Sequence, residues 1–247
     1  MSDLSPSDAA KLAAARAAIA LVQDGMAVGL GTGSTASVMV RELATRVQAE
    51  GLTLRCAATS QVTADLAASL GLSVESLDDI GHLDLTIDGA DELDPDLNLI
   101  KGGGGAHLRE KIVAASSDRM VVIADPAKVV EQLGAFHLPV EVIRFGWETT
   151  RERIKTALDA MDLDGRPVLL RMRDGAPFVT DEGNHILDLS LEAIPDAVAL
   201  NRALNAIPGV VENGLFIGLC DLALIGQPDG GVVELAVFRE DETREDG

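Results

Sequence analysis

The sequence predicts an α/β fold, a Rossmann-like and mostly parallel sheet with an inserted ferredoxin-like α+β small domain. Three observations carry this reading. Short apolar runs alternate with helical patterns through the first half of the chain, as in βαβ units. The run Met26–Leu30 stops at Gly31-Thr32-Gly33-Ser34-Thr35, and a helical pattern continues to about Ala49, which is a strand–glycine turn–helix opening. After Gly134 the order changes to βαββαβ, the ferredoxin-like signature.

The elements follow in order. Ser5-Pro6 reads as an N-cap with proline at the first helical position, opening a helix through Ala9–Val22. Lys11 and Arg16 interrupt its apolar run and no cleavage-site pattern follows, so it reads as an amphipathic helix and not as a signal peptide. Leu52–Ala58 predicts a second strand ending at Thr59-Ser60, and Gln61–Leu70 a helix stopped by Gly71. Leu83–Ile87 is a buried strand ending at Asp88. The helix Ala106–Ser116 leads to the strand Met120–Ala124, closed by Asp125-Pro126. The small domain reads as strand Leu138–Arg144, helix Thr149–Met161, strands Pro167–Arg173 and Ala176–Leu189, helix Asp196–Ala206 and strand Gly209–Ile217. The second of its inner strands is interrupted near Gly183-Asn184. Asp221–Ile225 returns to the first sheet. This assigns residues 1–133 and 218–247 to the Rossmann-like catalytic domain and 134–217 to the small domain, with a charged tail from about 238 expected to be disordered.

Bulk properties narrow the function. At 247 residues with 47% hydrophobic side chains, the chain can bury a substantial core. A formal net charge of −20 disfavours binding to nucleic acid or to an anionic membrane. No apolar run approaches the roughly 18–20 residues needed to span a bilayer. Cys56 and Cys220 lack metal-ligand spacing and read as buried thiols of a reducing cytoplasm. The four histidines form no cluster, which argues against a zinc site.

An anionic substrate would need a local cationic pocket, and the glycine-rich loops show where one lies. Four consecutive glycines, Gly102 to Gly105, are costly in any regular element and make sense where backbone must approach something closely. Lys101 precedes them and Glu110 sits early in the following helix, a cation and a carboxylate suited to proton transfer beside a developing oxyanion. The helix dipole would lower the pKa of Glu110 and burial would raise it, with the balance left open. Asp88 and Asp91, in Asp88-Gly89-Ala90-Asp91-Glu92, end a strand where ligands of open α/β sheets bind. Glu92 and Asp94 are expected to face solvent. Thr32, Gly33, Ser34 and Thr35 offer amides, hydroxyls and a helix N-terminus to a phosphate. Dinucleotide enzymes and methyltransferases use similar loops, but no acidic residue ends the second strand to read a ribose hydroxyl. Lys128 follows another strand end and can reach the same crevice; Lys11 is a weaker candidate of the same kind. His107 and Arg109 read as structural or rim residues.

Taken in order, these motifs resemble type A ribose-5-phosphate isomerase, from the first helix to about Leu235. Further carriers are Arg109-Glu110-Lys111, Ala124-Asp125 with Lys128, Leu138-Pro139-Val140-Glu141-Val142, Thr180-Asp181-Glu182-Gly183-Asn184, and Ile207-Pro208-Gly209-Val210-Val211 with Gly214-Leu215-Phe216. The resemblance implies a cytoplasmic enzyme without metal or organic cofactor. It would interconvert ribose 5-phosphate and ribulose 5-phosphate through an enediolate, in the non-oxidative pentose phosphate pathway. It implies Glu110 as the base, Lys101 as stabiliser of the enediolate oxygens, Asp88 in ring opening and Asp91 at the sugar hydroxyls. Thr32 to Thr35 would take the phosphate; Gly89, Ala90, Gly102, Gly103, Gly104 and Lys128 would complete the pocket. A homodimer or homotetramer is implied as well. Position 107 is a departure, since an apolar or small residue is expected where His107 stands. The rival readings are a sugar-phosphate sensor without catalysis, a related deaminase or lactonase, and a nucleotide-dependent methyltransferase.

Overall fold

A computed structural model describes residues 5–236; the tail expected to be disordered lies outside the described residues. The chain opens with α1 (Pro6–Ile19), capped as expected by Ser5, whose Oγ accepts from the Asp8 N–H at 3.1 Å. Then come β1 (Ala27–Leu30), α2 (Ser34–Glu50), β2 (Arg55–Ala58), α3 (Gln61–Ser69), the single turn α4 (Leu77–Ile80) and β3 (Leu85–Asp88). Two short strands, β4 (Glu92–Leu93) and β5 (Leu99–Ile100), precede α5 (His107–Ala115) and β6 (Met120–Ala124). A 3₁₀ turn, Pro126–Lys128, leads on to β7 (Leu138–Val142), α6 (Trp147–Asp159), β8 (Val168–Leu170), the hairpin β9 (Met172–Arg173) and β10 (Ala176–Pro177), and β11 (His185–Leu189). The chain continues through α7 (Ala197–Asn205), β12 (Val210–Asn213), β13 (Leu215–Phe216), β14 (Leu222–Gly226) and β15 (Val232–Ala236).

The main sheet runs β15-β14-β6-β3-β1-β2. It is parallel throughout except at β15, which pairs antiparallel with β14. From β1 the chain moves first to β2 on one side and then to β3 on the other. The β1/β3 boundary is therefore the switch point, where a crevice opens beyond the strands' carboxyl ends. The alanines of α1 (Ala10, Ala14, Ala15 and Ala18) are buried and let that helix lie close to the sheet. Gly226 in β14 completes that approach, because a Cβ there would stand 1.9 Å from the Ala10 carbonyl oxygen.

The second sheet, β12-β7-β11-β8, is antiparallel throughout, with the strand order of a ferredoxin-like unit. Its core joins Leu138, Val140 and Val142 of β7 to Ile154 and Leu158 of α6 and to Leu200 and Leu204 of α7.

Several details differ from the sequence reading, among them the division of Pro167–Arg173 into β8 and β9 and of Ala176–Leu189 into β10 and β11. The strand expected over Gly209–Ile217 divides at Gly214, whose absent Cβ would lie 2.3 Å from the Lys101 carbonyl oxygen. Its second part, β13, leaves the small sheet and pairs with β5, giving a three-stranded sheet β13-β5-β4 that the sequence does not announce. Strands of two residues are too short to show a period. The edge strand β15 is likewise additional. Finally, Glu92 does not face solvent. It is buried, and its carboxylate accepts from the Gly134 N–H at 2.7 Å and the Phe136 N–H at 2.5 Å, fixing the entry into the small sheet. Asp94 is half-buried and caps its own turn by accepting from the Asp96 and Asn98 N–H groups.

Glu92→Ala removes a buried carboxylate with two charge-assisted bonds, each worth about 1.5–3 kcal/mol. The expected outcome is a loss of about 3–6 kcal/mol in unfolding free energy, read from the urea midpoint.

Candidate active site

The site grows from three element ends. Asp88 is the last residue of β3, Lys101 directly follows β5, and Glu110 stands one turn into α5. In α5 the buried positions are His107, Glu110, Val113 and Ala114, so the helical period alone turns Glu110 inward. The Lys101 side chain is 2% exposed, and its ammonium makes one hydrogen bond and two ion pairs. Nζ donates to the Gly89 carbonyl at 2.5 Å, lies 3.0 Å from Asp88 Oδ2 and 3.3 Å from Glu110 Oε1. The other Asp88 oxygen accepts from the Thr32 N–H at 3.1 Å and the Gly89 N–H at 2.7 Å.

Burial sets the protonation of this group. It pushes the Glu110 carboxyl up to about 8, helped by the neighbouring Asp88 charge and opposed by Lys101. The balance between burial and helix dipole is thus decided for burial. Asp88, fully buried, is also raised by desolvation, which outweighs the Lys101 charge and the backbone donors. Burial alone would lower the Lys101 ammonium, but Asp88 and Glu110 together hold it above its ordinary range. One cation thus serves two carboxylates. Glu110 Oε2 makes no hydrogen bond among the described residues.

A cleft of about 500 Å³, counting its open mouth, lies over this group. It is lined by Thr32, Gly33, Ser34, Thr35, Gly89, Ala90, Asp91, Lys101, Gly102, Gly103, Gly104, Glu110 and Lys128. The residues singled out from the sequence are therefore brought together, with two qualifications of place. Asp88 sits behind the lining, completely buried, and meets the cleft through Lys101 and Thr32. Lys11 is not among the lining residues.

The glycine positions have individual causes. A Cβ on Gly31 would stand 2.1 Å from Asp88 Oδ1. Gly33 and Gly102 adopt φ of +109° and +106°, in the region that favours glycine. A Cβ on Gly102 would also meet His107 Nδ1 at 2.7 Å. His107 is completely buried, and desolvation lowers its pKa to about 3, so it is a neutral packing group beneath the loop. This explains how a histidine fits where an apolar residue is expected. Gly33 caps α2 without a side chain, which leaves the first amides of that helix facing the cleft beside Ser34 and Thr35.

Thr32 lines the cleft and also has a structural part. Its hydroxyl meets Thr59 Oγ1 (2.7 Å), Ser60 Oγ (2.8 Å) and Thr63 Oγ1 (3.1 Å), and its N–H is held by Asp88. These bonds fix the loop that carries Ser34 and Thr35 into the same lining. The sequence reading missed this hydroxyl cluster and also Arg171, whose guanidinium reaches the Gly102 and Gly103 carbonyls from the small sheet. The strand-end pair Thr59-Ser60 was a visible signal for the cluster; Arg171 had none, because its contact spans 69 residues of chain.

Among the described residues no group of three or more His, Cys, Asp or Glu side chains is arranged to hold a metal ion, and no helix is long and apolar enough to cross a membrane.

Fold and site define a Rossmann-like α/β protein with a buried acid–base group under a crevice that offers amides and cations to a small anion. Comparison with known proteins specifies the family. A family model described as ribose 5-phosphate isomerase A (phosphoriboisomerase A) matches residues 55–230. Ribose-5-phosphate isomerase A of Dinoroseobacter shibae is 60% identical over 230 residues, covering 93% of this chain and 88% of that protein. The structure of ribose 5-phosphate isomerase A from Methanocaldococcus jannaschii superposes with a TM-score of 0.85 at 41% identity, covering 93% of this chain and 99% of that one. A D-ribose-5-phosphate isomerase in complex with phospho-erythronic acid gives a TM-score of 0.86 at 33% identity, covering 94% and 99%. The chain belongs to the ribose 5-phosphate isomerase A family.

Gly31→Ala places a methyl group against Asp88. Overpacking of this kind costs about 1–3 kcal/mol. The expected result is a fall in Tm of about 3–10 °C by calorimetry.

Proposed function

We propose that this protein is an isomerase that interconverts D-ribose 5-phosphate and D-ribulose 5-phosphate by moving a proton between carbons 1 and 2. The observation that carries the mechanism is a cleft-lining carboxylate, Glu110, with a raised pKa, one oxygen without a hydrogen-bond partner among the described residues, and a buried ammonium at 3.3 Å. A proton alpha to a carbonyl is weakly acidic, so its removal needs a positioned base and a cation where negative charge develops. In the forward direction Glu110 takes the C2 proton of the open-chain aldose and returns it to C1, while the C2 hydroxyl proton passes to O1. Lys101 holds the enediolate oxygens.

Asp91 accepts from the Gly103 N–H at 2.7 Å and lines the cleft, a place suited to holding sugar hydroxyls. Asp88 acts at one remove, keeping Lys101 charged and the Gly31-Thr32 turn in place; that fixed cation also supports its part in ring opening. The phosphate falls to the α2 N-terminus, Ser34, Thr35 and Lys128. The phosphorylated sugar acid named with one similar structure is an anion of the size and charge this reading requires. We assign a homodimer or homotetramer to the chain, supported by the exposed apolar side chains Phe145, Leu169 and Met172 around the small sheet. Light scattering giving a monomer mass would overturn that assignment.

Purified protein in EDTA should form ribulose 5-phosphate from ribose 5-phosphate. Glu110→Gln should stay folded, bind substrate and lose at least about a hundredfold in kcat; near-normal turnover would remove Glu110 as the base. Glu110 must be ionised to accept a proton, so kcat/KM should fall tenfold per unit as pH drops below about 8. The stability consequence has the opposite sign. With its folded pKa raised, the group's contribution is complete below 4.5 and is lost as pH rises through about 8. Glu110→Gln should lack that decline in denaturant titrations.

A further inference from the structure

We propose that Arg171, oriented by Asp188, is a positioning residue that locks the Gly102–Gly104 backbone so that its amides face the cleft; this rests on the isomerase reading above. Arg171 lies between β8 and β9, far in sequence from the glycine loop, yet one nitrogen of its guanidinium donates to the Gly102 carbonyl at 2.8 Å and the Gly103 carbonyl at 3.2 Å. The other face of the guanidinium is occupied by Asp188 of β11, through a bidentate pair at 2.9 and 2.5 Å. The two side chains are largely buried, at 10% and 19% exposure. A paired, bidentate arginine has one orientation available, which a surface arginine does not.

The peptide geometry shows what this clamp does. In a trans peptide the carbonyl and the following N–H point in opposite directions, and the described chain contains no cis peptide bond. With the Gly102 carbonyl on Arg171, the Gly103 N–H is aimed the other way, and there it meets Asp91 Oδ2 at 2.7 Å. With the Gly103 carbonyl also on Arg171, the Gly104 N–H is aimed away from the guanidinium, and it makes no hydrogen bond among the described residues. Glycines have no side chain to prevent either peptide from rotating. A flip of the first would release Asp91, and a flip of the second would turn a carbonyl oxygen toward an anionic substrate. Two further contacts restrain the loop: the Gly102 carbonyl also accepts from the Gly105 N–H at 3.0 Å, and a Cβ at Gly103 would lie 2.8 Å from Asp91 Oδ1 and 3.0 Å from the Phe136 ring. Together with these contacts, the clamp fixes the tetraglycine as a wall of the site, and it is the Gly103 carbonyl that depends on Arg171 alone among the described residues.

The test compares Arg171→Ala, Arg171→Lys and wild type in two readouts. The first is isomerisation kinetics. Misplacing a reacting group by about 1 Å costs on the order of a hundredfold, so both variants should lose about ten- to a hundredfold in kcat with a smaller change in KM. Lysine keeps the charge but cannot serve two carbonyls and a carboxylate at once, so it should not rescue. Guanidinium ion at millimolar concentration should restore part of the kcat of Arg171→Ala, and sodium at equal ionic strength should not. The second readout is amide exchange at Gly103 by NMR, which should accelerate in both variants. Wild-type kcat in Arg171→Lys, or unchanged exchange at Gly103 in both variants, would overturn the proposal. If Arg171→Ala does not fold, Arg171→Lys decides by the same two criteria. A folded wild-type protein without isomerase activity would instead refute the function, and the exchange readout would still judge the clamp.

Discussion

The charge on Lys101 is the constraint on which the site depends. Moving an ammonium out of water costs several kcal/mol, and only close partners of opposite charge and good geometry offset it. Here the partners are Asp88, Glu110 and the Gly89 carbonyl, arriving from one strand end, one helix and one turn. Each of these elements must be correctly placed before the lysine can be buried at all. The same shortage of solvent that makes the ammonium costly raises Glu110, because one cation between two buried carboxylates cannot fully stabilise both as anions. A structural necessity and a catalytic property therefore have a single origin.

The surrounding fold can be understood as support for that group. The switch point between β1 and β3 opens a crevice, and Gly31 leaves the space into which the Asp88 carboxylate fits. The hydroxyls of Thr59, Ser60 and Thr63 hold Thr32, and through it the anion-facing start of α2. On the opposite wall, neutral His107 fills the space under Gly102, and β13 crosses from the small sheet to pair with β5 directly before Lys101. The small sheet contributes to the site through its contacts with that wall. Arg171, held by Asp188 of β11, reaches the glycine loop, and the Asp181 carboxylate accepts from the Gln61 N–H at the start of α3.

Much of this was legible because it is written in residues with few alternative uses. A tetraglycine after a lysine, an Asp-Gly-Ala-Asp turn at a strand end and a Gly-Thr-Gly-Ser-Thr turn before a helix constrain the backbone locally, so their neighbours in the sequence announce them. What stayed hidden depends on contacts that only tertiary structure makes. Glu92 looks like any acidic turn residue until two amides from the segment before β7 converge on it. Thr32 reads as a loop hydroxyl, and only the fold shows the cluster from a separate strand end that its oxygen joins. The strand break at Gly214 follows from a carbonyl more than a hundred residues earlier, and the direction of the Glu110 shift from a burial that a helical pattern alone does not measure.

The most direct test of the central claim is the titration of the Glu110 carboxyl itself, followed by ¹³C NMR in selectively labelled free protein, with Glu110→Gln identifying the resonance. A midpoint near 8 is the result this account requires, since it follows from sharing one buried ammonium between two carboxylates. A midpoint near the ordinary 4.5 would contradict it, because the carboxylate would then be stabilised as an anion and the raised basicity assigned to Glu110 would be absent.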